Sequence, residues 1–362
     1  MPKAVILDDP EVSHFAGLRY VSLRLLWDCN LRCVMCDHPH KAKSEMSVET
    51  ARKVLDQLSH PVRLTFIGGE PCLWLIRHPE VLRRAMADGH VVHLITNGVL
   101  LPRLPDFVEA FRDKPVSVQF SMEGYADSYE RMRKRSSWAA VVNAIRLVQG
   151  RRLAGGNRSA VITANYLLMR QTLADLPRFI GFCADEGIDA VSLTYTMIYH
   201  SMVKRGEITE DESVYHHQEA TNEAVRQAAE VARRLKISLS YPPPLGEPSV
   251  VGRQWVGPEI ASVAPGPAYL PNVERLACGK PWKEIFVNQD GTVVPCCCGP
   301  DNGPAIGHVD DGVANLWNGE PVRIVRRALS RGEFDERCRC GINISEVGRQ
   351  TGIERFFTSP QE

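Results

Sequence analysis

Short apolar or β-prone runs alternate with segments of helical period along most of the chain. The predicted strands cover residues 20–26, 62–67, 91–95, 116–120, 160–168 and 190–196. Predicted helices follow them at about 47–59, 79–87, 104–111, 138–153, 173–186 and 210–235. This alternation predicts an α/β fold with a parallel sheet and right-handed crossovers. The six strand–helix pairs are fewer than a closed eightfold barrel needs.

The pattern changes after residue 241. Residues 242–271 contain eight prolines and four glycines, which predict an irregular bridge. Residues 285–287 and 293–294 are β-prone and flank an Asn-Gln-Asp-Gly turn, so they predict a hairpin. A helix with apolar residues on one face is predicted from Pro321. The chain therefore carries a second, smaller region of hairpin plus helix.

Composition and charge narrow the possible partners. The chain has 362 residues, of which 44% are hydrophobic and 24% charged, with 43 basic and 43 acidic side chains. This balance gives no reason to expect nucleic acid or an anionic membrane as a partner. The N-terminus lacks the pattern of a signal peptide, and no apolar run is long enough to span a bilayer.

The 11 cysteines fall in two concentrations with short internal spacings. In a chain without an export signal, such grouping favours metal or cluster ligation over disulfides and predicts a cytoplasmic protein. Cys29, Cys33 and Cys36 form a C-x3-C-x2-C loop after the first predicted strand. Three thiolates leave one position of a tetrahedral metal, or one iron of a [4Fe-4S] cluster, open. A Cys3His zinc site that includes His38 or His40 is the alternative.

This loop resembles the signature of the radical S-adenosylmethionine (SAM) superfamily, C-x3-C-x-φ-C, in which φ is usually aromatic. Met35 stands at the φ position, and it is apolar and adaptable enough to pack near a cofactor. The resemblance implies a [4Fe-4S] cluster on Cys29, Cys33 and Cys36, with SAM bound to the open iron. It also implies reductive cleavage of SAM to a 5′-deoxyadenosyl radical, hydrogen abstraction from substrate, and an open (β/α)6 partial barrel.

The turns that follow other predicted strands resemble the same family. Gly68-Gly69-Glu70-Pro71 follows the second strand, where the family receives the methionine ammonium of SAM. Glycines permit close backbone approach, and a carboxylate suits an ammonium. The resemblance suggests further SAM contacts at Asn97, Ser121, Glu123 and Asn165. Asn-Gly and Glu-Gly are also ordinary turn dipeptides, and Glu123 replaces the commoner Asp.

The second group of cysteines resembles the SPASM/twitch extension of radical SAM enzymes, whose twitch form holds one auxiliary [4Fe-4S] cluster. The implied ligands are Cys278, Cys296, Cys338 and Cys340, and Cys297 or Cys298 could replace one of them. The terminal pair is C-x-C instead of the usual CxxC. A structural zinc knuckle built from the same thiolates is the alternative.

The resemblance divides the chain into five segments. They are an N-terminal extension (1–19), the partial barrel (20–241), the Pro/Gly-rich bridge (242–277), a twitch/SPASM-like domain (278–341) and a C-terminal tail (342–362).

The preferred function is hydrogen removal from a carbinol carbon of a sugar or aminocyclitol in natural-product (antibiotic) biosynthesis, because single-auxiliary-cluster relatives include such enzymes. The outcome would be dehydrogenation or epimerisation, so the chain would be an oxidoreductase or an epimerase. Epimerisation needs a thiol that returns hydrogen, for which Cys72, Cys297 and Cys298 are candidates. The expected partners are a small molecule in preference to a peptide, and an external flavodoxin- or ferredoxin-type electron donor.

Two other functions stay open. The first is radical modification of a peptide or protein by an epimerase, thioether cross-linker or sulfatase-maturing type of enzyme. It ranks second because many such relatives carry two auxiliary clusters or a leader-peptide-binding domain. The other is a zinc-stabilised, non-catalytic binding protein, for which the Gly-Gly-Glu-Pro turn would have no use.

Overall fold

A computed structural model describes residues 17–196, 198–242, 244–246, 254–256, 280–295, 305–330 and 353–354. The strands are β1 (Tyr20–Arg24), β2 (Arg63–Ile67), β3 (Val91–Thr96), β4 (Val116–Ser121), β5 (Val161–Leu168), β6 (Ala190–Tyr195), β7 (Ile198–Tyr199), β8 (Ser238–Tyr241), β9 (Gln254–Val256), β10 (Glu284–Val287), β11 (Thr292–Val294), β12 (Gly307–His308) and β13 (Ile353–Glu354).

The α-helices alternate with these strands. They are α1 (Val48–Asp56), α2 (Pro71–Arg77), α3 (Pro79–Ala87), α4 (Pro105–Ala110), α5 (Asp127–Arg133), α6 (Trp138–Gly155), α7 (Leu176–Asp185), α8 (His200–Lys204), α9 (Gln218–Leu235), α10 (Val313–Trp317) and α11 (Glu320–Ser330). No helix in the described ranges is long and apolar enough to cross a membrane.

The first of two compact units comprises Met1–Asp28, Ala42–Leu94 and Pro265–Asn343. Within it, β10, β1, β2 and β3 lie side by side and parallel, while β11 and β12 continue antiparallel from β10. The predicted hairpin is therefore present as β10 and β11, and its turn contains Gly291 with a φ of +87°. Because β10 pairs with β1, the described C-terminal strands extend the sheet of this unit.

The second compact unit comprises Cys29–Lys41, Ile95–Ala264 and Ile344–Glu362. Its strands β4, β5, β6 and β8 are parallel neighbours in that order, and β9 pairs antiparallel with β8. Alternate residues of β5, including Ile162, Ala164 and Tyr166, are fully buried. The predicted α/β class with a parallel sheet core is confirmed by both units.

The predicted helix at 210–235 is shorter in the structure and begins at Gln218. Two 3-10 turns precede it, at Glu210–Glu212 and Val214–His216. Glu212 accepts a hydrogen bond from the Gln171 backbone at 3.1 Å and pairs with Arg170 at 3.3 Å. These long-range contacts hold the segment out of a continuous helix, although its apolar spacing is helical.

Several elements were not predicted, among them α2, α5, β8 and β9. The α2 helix starts at Pro71, directly after the Gly-Gly-Glu turn, so no further loop separates the turn from the helix. The α5 helix has no side-chain N-cap, and the residue before it, Ala126, has a φ of +49°. The α5 helix therefore lacks the usual starting signal in its sequence, whereas α2 begins with Pro71 and is capped by Glu70.

Candidate functional site

The loop that carries Cys29, Cys33 and Cys36 belongs to the second compact unit. Its backbone is held by a hydrogen bond from Val34 N to the carbonyl of Met132 in α5, at 2.9 Å. Within the loop, Cys36 N donates to the Cys33 carbonyl at 3.2 Å, and Leu31 N donates to Cys29 Sγ at 3.4 Å. All three cysteines carry thiols and not disulfides. The loop therefore presents three thiols from a backbone of defined shape.

The surroundings of these thiols are apolar. Cys33 is buried, and Cys29 and Cys36 are partly buried against the same cluster of side chains, which consists of Leu31, Val34, Met35, Met132, Met169, Ile198, Met202 and Ile208. Met35, predicted at the usual aromatic position, packs inside this cluster. Burial, reinforced by the neighbouring Cys33, raises the pKa of Cys36 to about 11. Iron binding must therefore displace a proton from this thiol.

Asn97 lies beside the first thiol. Its amide nitrogen contacts Cys29 Sγ at 3.7 Å and donates to the Asn30 side chain at 2.8 Å. Its amide oxygen accepts a hydrogen bond from Val99 N at 3.0 Å, which fixes the orientation of the side chain. The turn after β3 is therefore tied to the cysteine loop by a side chain of the predicted set.

A buried ion pair lies beside the second thiol. Arg133, on α5, donates from Nη1 to Cys33 Sγ at 3.3 Å, and its Nη2 contacts the Ser121 carbonyl and the Glu123 carboxylate. The two charged side chains are only 6% and 2% exposed. Burial alone would lower the pKa of Arg133, but Glu123 and Cys33 outweigh it and raise that pKa well above its usual value. Burial raises the pKa of Glu123, against the opposing charge of Arg133.

Ser121 and Asn165 end up side by side at the carboxyl ends of β4 and β5. They are register partners, and Met122 N donates to the Asn165 carbonyl at 2.8 Å. Thr194 on β6 donates to the Asn165 side chain at 3.4 Å. Both residues are partly exposed, so their polar groups border solvent. The cysteine loop, Asn97, Ser121, Glu123 and Asn165 thus all belong to the second compact unit, and their contacts with SAM stay predictions.

The Gly-Gly-Glu-Pro turn lies in the first unit. Gly69 N donates to the Leu26 carbonyl at 2.8 Å, and Glu70 N donates to the Asp28 carbonyl at 2.9 Å. A Cβ at Gly69 would collide with the carbonyls of Trp27 and Asp28, and Gly68 has a φ of +149°. The turn is therefore locked onto the backbone that immediately precedes Cys29 in the chain, and only glycine fits there.

Glu70 and Cys72 are fully buried next to this turn. One carboxylate oxygen of Glu70 accepts a hydrogen bond from Cys72 N at 3.0 Å and thereby caps α2, whose first residue is Pro71. The cap fixes the direction of the carboxylate predicted to receive the SAM ammonium. Cys72, a candidate hydrogen donor, is 0% exposed. The roles of Glu70 and Cys72 stay predictions.

The predicted auxiliary ligands Cys278, Cys296, Cys338 and Cys340 lie outside the described residues, as do Cys297 and Cys298. Within the same 278–341 segment of the sequence, one described residue has an unusual environment. Arg326 on α11 is fully buried, donates from Nε to the Pro281 carbonyl at 3.0 Å and lies over the Trp317 ring at 4.7 Å. Its two terminal nitrogens have no hydrogen-bond partner among the residues that the structure describes. Burial, and then the charge of Arg323, lowers the pKa of Arg326 to about 10. A buried cation of this kind fits a region that holds an anionic cofactor.

Across the described ranges, no group of three or more His, Cys, Asp or Glu side chains is arranged to hold a metal ion. The joint assignment of Cys29, Cys33 and Cys36 to one cluster therefore rests on their spacing and their surroundings. Three thiols on one loop, an apolar wall and N–H groups directed at two of the sulfurs suit an iron–sulfur cluster. His40, a zinc-ligand alternative, pairs instead with Glu207 at 2.7 Å.

Comparison with known proteins identifies the family. Residues 28–183 match the radical SAM superfamily, and residues 278–341 match the SPASM iron–sulfur cluster-binding domain. The chain therefore belongs to the radical SAM superfamily and carries a SPASM domain. This pair of domains implies a [4Fe-4S] cluster with SAM and auxiliary iron–sulfur clusters bound by the C-terminal region. The zinc alternatives for both cysteine groups are therefore not supported.

Individual relatives are more distant. A PqqA peptide cyclase from Granulibacter bethesdensis is 23% identical over 315 residues, which are 81% of this chain and 72% of the relative. SuiB of Streptococcus suis, solved with its precursor peptide SuiA, gives a TM-score of 0.60 at 13% identity over 86% of this chain and 67% of that chain. The structure of anSMEcpe with AdoMet and the Cp18Cys peptide gives 0.59 at 14% identity over 92% of this chain and 87% of that chain. At these identities the solved structures support the fold alone.

The preference for a small-molecule substrate over a peptide is wrong. The names of the curated relative and of the similar structures refer to peptides. The sequence-based preference rested on the number of auxiliary cysteines and on the short N-terminal region. Neither feature defines the groups that contact a substrate, and hydrogen abstraction begins in the same way on a sugar and on a peptide.

Sequence reasoning missed Arg133. It belongs to a run of basic residues with Arg131, Lys134 and Arg135, all three of which are exposed. Nothing in the composition of this run distinguishes its one buried member. The available signal was Met132 beside it, because an apolar residue within a charged segment marks the buried face of a helix.

Proposed function

We propose that this radical SAM enzyme modifies a peptide or protein substrate. The observation that carries the proposal is the similarity to a peptide cyclase over 81% of the chain. The peptides bound to the similar structures add support.

When bound, the cluster with SAM supplies a 5′-deoxyadenosyl radical that removes a hydrogen atom from the substrate. In our proposal, Cys29, Cys33 and Cys36 hold that cluster within the apolar wall of Met35, Met132 and their neighbours. This wall buries the Cys33 thiol and shields the other two thiols partly from water. Asn97 orients the loop through Asn30 and lies against Cys29 Sγ.

The remaining predicted contacts position SAM. The buried carboxylate of Glu70 suits the methionine ammonium, because its direction is fixed by the cap on α2. Ser121 and Asn165 offer polar groups at adjacent strand ends, which suit the ribose and adenine of SAM. These roles extend the sequence prediction and remain proposals.

The test is SAM cleavage by the anaerobically reconstituted protein in the presence of synthetic peptides. The peptides are those encoded by short open reading frames beside the gene. We expect one of them to increase formation of 5′-deoxyadenosine and to return with a changed mass. The protein with Cys29, Cys33 and Cys36 all changed to Ala is the control, and it should leave the peptide unaltered.

Two results would contradict the proposal. One is SAM cleavage that sugars or aminocyclitols stimulate but none of the encoded peptides does. The other is a peptide mass change that persists in the triple Cys→Ala protein, since the modification would then arise without the cluster.

A further inference from the structure

Arg133 occupies an uncommon position for an arginine. Its guanidinium is buried, and it contacts a thiol, a carboxylate and a backbone carbonyl at the same time: Cys33 Sγ, Glu123 and the Ser121 carbonyl. Its face also lies 5.4 Å from the centre of the Tyr129 ring. Removing the charges of an arginine and a glutamate from water is unfavourable, so such a pair persists only where its partners compensate.

Glu123 compensates the charge of Arg133 without using all of its donors. The carboxylate is ion-paired with Nη2, but the contact is not an aligned hydrogen bond. Nη1 is directed at Cys33 Sγ at 3.3 Å, which is a normal distance for an N–H group that donates to sulfur. The arginine therefore stands between two negative groups, the carboxylate and the sulfur that is to ligate iron.

We propose that Arg133, backed by Glu123, is a positioning residue that sets the reduction potential of the cluster ligated by Cys33. Hydrogen bonds to the sulfurs and nearby charge are among the features that set the potentials of iron–sulfur clusters. The inference rests on Cys33 being a cluster ligand. It does not depend on whether the substrate is a peptide.

The arrangement gives the two partners effects of opposite sign. One-electron reduction adds negative charge to the cluster, and the guanidinium stabilises that charge, so Arg133 raises the potential. Glu123 partly cancels the positive charge that the cluster experiences, so Glu123 lowers the potential. An ion pair with a purely structural role would not produce this opposition.

The opposite effects expected of Arg133 and Glu123 on the reduction potential determine which variants test the proposal. Arg133→Met keeps an unbranched apolar side chain but removes the charge and the donor. Glu123→Gln keeps the shape of the side chain and removes the negative charge. Arg133→Lys keeps the charge as a point donor and should restore part of the potential. Arg131→Met is the matched control, because Arg131 is exposed on the same helix.

The measurement is a redox titration of the reconstituted protein with dithionite, followed by electron paramagnetic resonance. The relevant cluster is the one whose signal changes when SAM is added. We expect Arg133→Met to reduce the ratio of reduced to oxidised cluster roughly tenfold at a fixed solution potential. A tenfold change corresponds to a shift of the reduction potential by about 59 mV for one electron. Glu123→Gln should increase that ratio, Arg133→Lys should lie in between, and Arg131→Met should match the native protein.

Iron and sulfide per chain are measured on every variant. If Arg133→Met fails to assemble the cluster, Glu123→Gln and Arg133→Lys still decide the question. An unchanged ratio in Glu123→Gln with its cluster intact would overturn the proposal. A decrease in both Glu123→Gln and Arg133→Met would also overturn it, because loosening of the pocket and entry of water would then be the cause.

Discussion

Gly69 shows how one residue can fix the backbone geometry of the segment Leu26–Asp28. The position where its Cβ would lie is filled by two backbone carbonyls, those of Trp27 and Asp28. Backbone atoms cannot move aside as a flexible side chain can. The close approach also explains why the turn contains two glycines before its carboxylate.

We therefore expect Gly69→Ala to destabilise the protein by about 1–3 kcal/mol, the usual range for overpacking. The urea midpoint of the purified protein measures the change. Gly150→Ala is the control, because Gly150 lies within α6 and has open space around its Cβ position. It should be neutral or stabilising by about 0.5–1 kcal/mol. Equal stability of Gly69→Ala and the native protein would mean that the turn does not pack as described.

Arg326 is the second residue whose surroundings indicate something beyond packing. A buried guanidinium with unsatisfied nitrogens costs about 1–3 kcal/mol unless an anion compensates it. Iron-free protein lacks the dianionic centre that four thiolates and a [4Fe-4S] cluster would provide. Because Arg326 belongs to the segment that matches an iron–sulfur cluster-binding domain, we expect it to be unfavourable before cluster assembly and compensated after it.

Arg326→Leu should raise the melting temperature of iron-free protein and reduce retention of iron by the SPASM region after reconstitution. Thermal unfolding of the iron-free form and iron analysis after gel filtration measure the two effects. Arg323→Leu, one turn earlier on α11, serves for comparison because Arg323 is only partly buried. A lower melting temperature for iron-free Arg326→Leu would show that Arg326 is already compensated in that state.

At the scale of elements, the amino end of α1 shows a helix start that sequence alone identifies. Ser47 accepts a hydrogen bond from Thr50 N at 2.9 Å, as its N-cap position predicts. The other end of α1 contacts the C-terminal region within the first unit: Gln57 donates to the Val309 carbonyl at 3.1 Å and accepts from Val313 N at 2.6 Å. The helix therefore helps to hold α10 and the turn before it.

Ser47→Ala should reduce the free energy of unfolding by about 1 kcal/mol, since it removes the N-cap. Chemical denaturation measures the loss. Ser47→Asp keeps an acceptor and places negative charge at the helix amino end, so it should retain native stability. If Ser47→Asp loses as much stability as Ser47→Ala, the serine contributes through a contact other than the cap.

The α5 helix illustrates the opposite case. It contains Met132 and Arg133, which contact the cysteine loop, yet it lacks a capping side chain and ends at Lys134 in the left-handed region. Its formation depends on burial of Tyr129 and Met132 and not on local signals. Elements of this kind are found only when their tertiary partners are known.

At the scale of the whole molecule, two groups of cysteines predict two separate clusters. Replacement of Cys29, Cys33 and Cys36 by Ala should reduce iron from about eight to about four per chain after anaerobic reconstitution. The matched change of Cys278, Cys338 and Cys340 to Ala should do the same and leave the SAM-responsive cluster intact. Iron, sulfide and zinc analysis measures both variants. A fall to no iron in the first variant would mean that the C-terminal cysteines hold no cluster of their own.

The sequence by itself determined the family, the cofactor class and the parallel α/β core. It could do so because ligand spacing within a short loop, glycines at a strand end and apolar periodicity are local features that chemistry constrains directly. The substrate preference drawn from the same sequence was wrong, because cysteine counts do not describe the surface that a substrate contacts.

Tertiary structure alone decided which charged residues face the thiols. Arg131, Arg133 and Arg135 are the same residue type within one basic segment. Arg133 is buried beside Cys33 because its position on α5 faces the cysteine loop. The ion-pair partner of Glu123 lies ten residues further along the chain. Glu70 can cap α2 only because that helix begins at the next residue, Pro71. Such pairings result from packing between elements, which periodicity along a single chain does not encode.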